Sequence, residues 1–152
     1  MQFKLILCPT DFSDASERAI RDAVGLSKLM HAKVRLLHVF QRPVDIALEG
    51  APVSMAAATE YLEQARGQLL EELQKRETHW QEEGADVEAV LIEGSPHQVI
   101  VDQSKEADLI LMATHGRSGF QRFVLGSVTE RVVRMAHCPV MCLPMTDKER
   151  DD

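Results

Sequence analysis

The chain lacks any apolar run of the roughly 18 to 20 residues that a bilayer-spanning helix requires, so no membrane association is expected. Positive charge is also in short supply: 17 lysines and arginines face 24 aspartates and glutamates, for a net charge of −7. A surface of that sign has no non-specific hold on nucleic acid or on an anionic membrane. Phosphate stays open as a ligand, because backbone amides at a helix N-terminus hold it without basic side chains. Cysteine is scarce as well. Cys8, Cys138 and Cys142 form no CxxC pair, and an odd count does not suggest a disulfide framework. His137 beside Cys138 would need a further ligand from elsewhere to make a metal site, so buried or half-buried reduced thiols are expected, with no metal held by protein side chains. The opening Met1 to Pro9 is too short an apolar stretch for a secretory signal and has no small-residue cleavage site, which points to the cytoplasm.

Several catalytic signatures are absent too. There is no GxxxxGKS or GxxxxGKT and no HExxH, and no GxGxxG follows the first apolar run. Gly116-Arg117-Ser118-Gly119 has the wrong spacing for a GxSxG nucleophile elbow. Nothing names a general base for rapid hydrolysis. Internal repeats, linkers and low-complexity segments are missing as well, and 152 residues with 45% hydrophobic and 27% charged content suit one globular domain. We read residues 1–146 as that domain and 147–152 as a charged tail.

What is present is a regular alternation. Short apolar runs at Phe3 to Cys8, Val34 to Phe40, Asp86 to Ile92, Leu109 to Ala113 and Pro139 to Leu143 read as buried strands. Between them lie helical stripes, one marked by Ala15, Ala19, Ala23, Leu26 and Met30, another by Met55, Leu62, Leu69, Leu73 and Trp80, with Gly84 as its stop. Three helix starts carry capping chemistry: Asp14 with Glu17, Ser95-Pro96-His97-Gln98, and Ser127-Val128-Thr129-Glu130. Gln41 to Ser54, with Pro43, Gly50 and Pro52, reads as an irregular loop long enough to act as a partial lid. Strand-helix alternation of this kind implies a parallel sheet covered on both faces.

Ligands of open parallel sheets bind beyond the carboxyl ends of the strands, where the winding reverses. Two loops leave strand ends with suitable chemistry. Pro9-Thr10-Asp11 places a carboxylate that either holds ribose hydroxyls or caps the next helix. In the run from Ala113 to Ser127, Gly116 and Gly126 allow close backbone approach, and Gly126-Ser127 leads into a helix N-terminus that attracts phosphate. Arg117 and Arg122 either pair with phosphates or are solvated loop charges, and His115 carries no clear role.

From Pro9-Thr10-Asp11-Phe12-Ser13 to Cys138-Pro139-Val140 the chain resembles the universal stress protein family. Nucleotide-binding members carry Gly, two residues, Gly, nine residues, Gly, then Ser or Thr; here the spacing is kept through Gly116, Gly126 and Ser127, with Ala113 in the first place. The resemblance implies an α/β, Rossmann-like sheet of the adenine nucleotide alpha hydrolase-like kind, five parallel strands in the order 3-2-1-4-5. It implies ATP or another adenine nucleotide as ligand, with magnesium or manganese carried on the phosphates. Asp11, beside Pro9 and Thr10, would meet the ribose or adenine, and the Val39 backbone would read the adenine edge. Gly116, Gly126, Ser127 and Val128 would cradle the phosphates, and Met112, Ala113, Arg117 and Thr129 complete the expected nucleotide-binding set. Weakened or retained binding is expected from Ala113. A homodimer through Val140, Met141, Cys142 and Leu143 is implied too, an apolar sheet edge that invites pairing. The expected role is a dimeric regulatory or stress-response module. The alternatives are a dimeric interaction protein without nucleotide and a slow ATPase.

Overall fold

The computed structural model describes residues 3–42, 55–114 and 125–144. Five strands alternate with four helices: β1 (Leu5–Pro9), α1 (Asp14–Met30), β2 (Lys33–Phe40), α2 (Met55–Glu82), β3 (Val87–Glu93), α3 (Pro96–Gln103), β4 (Leu109–Ala113), α4 (Ser127–Met135) and β5 (Val140–Leu143). All pairings are parallel and the order is β3-β2-β1-β4-β5, as the resemblance implies. The lid expected over 41–54 falls largely outside the described residues.

Period-2 alternation divides the sheet into two cores. Ile6, Cys8, Val34, Leu36 and Leu111 face α1 and α2, where Ala19, Ile20, Ala23 and Leu73 meet them. Leu7, Leu37, Ile110 and Met112 face α3 and α4, against Ile100 and Val132. Burying both faces is why β1 and β4 are continuous apolar runs. β4 has the bounds expected from its sequence, and all five of its residues are buried.

The helix starts differ from expectation. Ser13, not Asp14, caps α1, its hydroxyl accepting from the Ser16 N–H at 3.3 Å. Ser95 does cap α3 with Pro96 in the first turn, but its hydroxyl makes no capping bond and lies 3.1 Å from His97 Nδ1 instead. At α4 the cap is Gly126, and Ser127 is already the first helical residue. Both serine-led patterns match a capping box locally, yet neither helix has a side-chain capping bond to its first amides among the described residues. The buried stripe of α1 is centred on Ala19, Ile20, Ala23 and Val24, with the expected Ala15, Leu26 and Met30 half-buried at its flanks. Gly84 ends the long helix region at φ +79°, a left-handed backbone that favours glycine.

Candidate functional site

β1 lies between β2 and β4, and the chain winds outward from it in both directions, so the switch point falls at its carboxyl end. Two features open a gap there. β2 pairs with β1 only as far as Pro9 opposite Leu37, with one further bond from Thr10 N–H to Leu37 O at 2.9 Å. Backbone groups alternate sides along a parallel strand. Because Leu37 O faces β1 and Phe40 O accepts from Gly94 N–H on the β3 side, Val39 turns its N–H and C=O to the side where β1 has ended.

The resulting cavity is about 340 Å³, within the ordinary range for small-molecule sites. One wall is Pro9, Thr10 and Asp11; the floor includes Val39, Met112 and Ala113; the far wall is Gly126, Ser127, Val128 and Thr129. These sequence-chosen residues are thus brought together around one space. Gly116 and Arg117 lie outside the described residues. The cavity is also lined by Ser16, Leu37, His38, Gln41, Pro96 and Ile100, which the sequence reading missed. Leu37 was legible as the neighbour two residues before Val39 on the same strand face, and Pro96 as a helix start just past a strand end. His38 and Ser16 carried no local signal.

Hydrogen bonds stiffen the acidic wall. Ser16 Oγ donates to Ser13 O at 2.8 Å, so the proton shared with Thr10 Oγ1 at 3.0 Å is the threonine's. Thr10 Oγ1 also accepts from Phe12 N–H at 3.1 Å. Both hydroxyls are buried, and their work is to shape the turn. Asp11 Oδ1 accepts from Ser13 N–H at 3.1 Å and from Ser13 Oγ at 2.6 Å, orienting the serine that caps α1. His38 Nδ1 lies 2.7 Å from Thr10 O, a carbonyl that can only accept, so Nδ1 is the donor.

On the far wall, Gly126 N–H donates to Thr114 O at 2.9 Å. Thr129 Oγ1 donates to Ala113 O at 3.2 Å, which ties α4 to the end of β4. The first amides of α4 have no partner within the helix, and Gly126 offers no side chain to cap them. With the helix dipole, that end is suited to an anion. Cys8 takes no part: burial, then the charges of Glu17 and Asp22, push its thiol far above the usual range, so it stays a protonated packing residue. Cys138 and Cys142 are half-buried, and burial raises both.

The sequence model of the universal stress protein family matches residues 2–144. The chain belongs to that family. Among curated relatives, a universal stress protein of Methanocaldococcus jannaschii, MJ0531, is 36% identical over 152 residues, spanning 97% of this chain and 85% of its own. The solved universal stress protein UspA from Lactobacillus plantarum superposes with a TM-score of 0.77 at 25% identity, over 94% of this chain and 99% of that one. A universal stress protein from Arabidopsis thaliana, solved with AMP bound, has the same fold at a TM-score of 0.67 and 21% identity, covering 96% of this chain and 94% of its own. In this universal stress protein no helix among the described residues is long and apolar enough to cross a membrane.

Proposed function

We propose that this universal stress protein binds an adenine nucleotide, ATP first among them, in the crevice between β1, β2 and β4, and acts as a cytoplasmic regulatory module. The observation that carries the reading is an open cavity with a helix N-terminus that has no side-chain cap at one end and Asp11 at the other. Phosphates suit the α4 amides, while the floor of Leu37, Val39 and Met112 suits a flat apolar base. The Val39 backbone groups supply the donor and acceptor that a purine edge needs. A divalent ion would arrive on the phosphates and compensate their charge, as no lysine or arginine among the described residues lines the cavity. AMP in the Arabidopsis relative of this fold fits the same reading.

Ala113 favours a second reading, a dimeric interaction protein that uses the fold without nucleotide, since it puts a methyl group where the binding motif has glycine. Calorimetry separates the two. Titration of ATP with magnesium should give saturable one-site binding, and Gly126→Val should weaken it by about tenfold or more. Gly126 has φ −59° and ψ 147°, a backbone that valine adopts without strain, so the variant should fold, with a loss of about 1 kcal/mol from a poorer cap. Absence of heat with ATP, ADP and AMP would sink the nucleotide reading.

A further inference from the structure

Phe12 follows Asp11 with φ +64°, a left-handed backbone that glycine enters freely and a bulky side chain avoids. A link that needed only this bend would be served by glycine, so the ring itself contributes. It lies 4.5 Å from the His38 ring, centroid to centroid, with the planes tilted by 32°. The Arg76 guanidinium stands over the same ring, 4.7 Å from its centroid. Arg76 is itself held by Glu17 on α1 and Glu72 on α2. One side chain of the turn therefore meets β2 through His38 and α2 through Arg76. Asp11 sits between two immobilised neighbours: Thr10, bound through its carbonyl to His38 and through its hydroxyl to the Phe12 amide, and Phe12 itself.

We propose that Phe12 is a positioning residue for the crevice, its ring wedged against His38 and Arg76 so that the left-handed turn holds Asp11 and the His38 ring plane in one arrangement before ligand arrives. Pre-ordering a wall in this way raises affinity by removing an ordering cost from binding. The affinity readout rests on the nucleotide reading above; the arrangement of His38 does not.

Three variants test it: Phe12→Gly, Phe12→Tyr and Arg76→Met, the last altering a residue that does not line the cavity. Glycine takes φ +64° without strain and removes the ring; tyrosine keeps the ring. Phe12→Gly should bind ATP about tenfold more weakly, and Arg76→Met about threefold more weakly, with Phe12→Tyr close to the parent. In the nucleotide-free protein, the ring-current displacement of the His38 imidazole resonances should vanish in Phe12→Gly and return in Phe12→Tyr. A folded Phe12→Gly with parental affinity, or with unchanged His38 resonances, overturns the proposal. If Phe12→Gly does not fold, parental affinity together with unchanged His38 resonances in Arg76→Met does so. Should the parent bind no nucleotide, the functional reading falls, and the His38 resonances alone decide the positioning role.

Discussion

Gly94 hands the chain from β3 to α3 at φ +152°, and a Cβ built there would stand 2.8 Å from Val99 Cγ2. A valine in a helix is stiff at χ1 and cannot swing aside cheaply. Gly94→Ala combines a forbidden contact with a backbone that L-residues rarely adopt, and should cost about 2 kcal/mol, lowering the thermal midpoint by about 4–8 °C. Circular dichroism melts check this; an unchanged midpoint would mean that the turn relaxes freely. Gly126 differs, since its φ of −59° is open to any residue and it gives the first amides of α4 no side-chain cap. The sequence marked Gly126 through its motif spacing, but Gly94 by nothing, because its constraint comes from Val99 in the next turn of space. Phe12 was equally illegible: its ring meets one ring from β2 and a guanidinium from α2.

β1 and β4 were legible as elements because burial on both faces demands unbroken apolar runs, and these are local patterns. Helix starts were less so. Ser95 and Ser127 both satisfy a capping pattern by spacing, yet a hydroxyl takes whichever partner the packing offers, His97 in one case, and Ser127 is one residue too late in the other. One carboxylate holds two elements together across a long separation. Asp108 Oδ2, just before β4, accepts from the N–H groups of Lys4 at 2.8 Å and Leu5 at 3.0 Å, securing the start of β1. Those amides hold its carboxyl below the usual carboxylate range. A lowered folded-state value means that the stabilisation is complete above the ordinary carboxylate pKa and is lost as pH falls through the folded one. Asp108→Asn should therefore be less stable than the parent at neutral pH. The gap should close on acidification below about pH 4, measured as urea midpoints across pH. A gap independent of pH would assign the effect to packing.

At the scale of the whole molecule the sheet has two edges, β3 and β5. β5 is the shorter, and among its residues Met141 is 44% exposed, with Val140, Cys142 and Leu143 half-buried. Apolar edges of this kind invite pairing with a second chain, and a two-fold dimer satisfies both copies at once. We expect sedimentation velocity at micromolar concentration to give a dimer, and Met141→Lys, a charge placed on that edge, to shift it to monomer with the fold intact. A monomeric parent would remove the edge from the functional reading. By itself the amino-acid sequence determined the strands and their parallel alternation with helices, because these are written in the apolar period of contiguous segments, and its resemblance to the family marked more than half of the crevice lining. Only the tertiary structure decided that β2 outruns β1, that Pro96 and Ile100 of α3 reach the same cavity, and that His38, Phe12 and Arg76 meet. Those facts depend on which strands lie side by side and how far each extends, and nearest neighbours along a chain do not encode neighbours across a sheet.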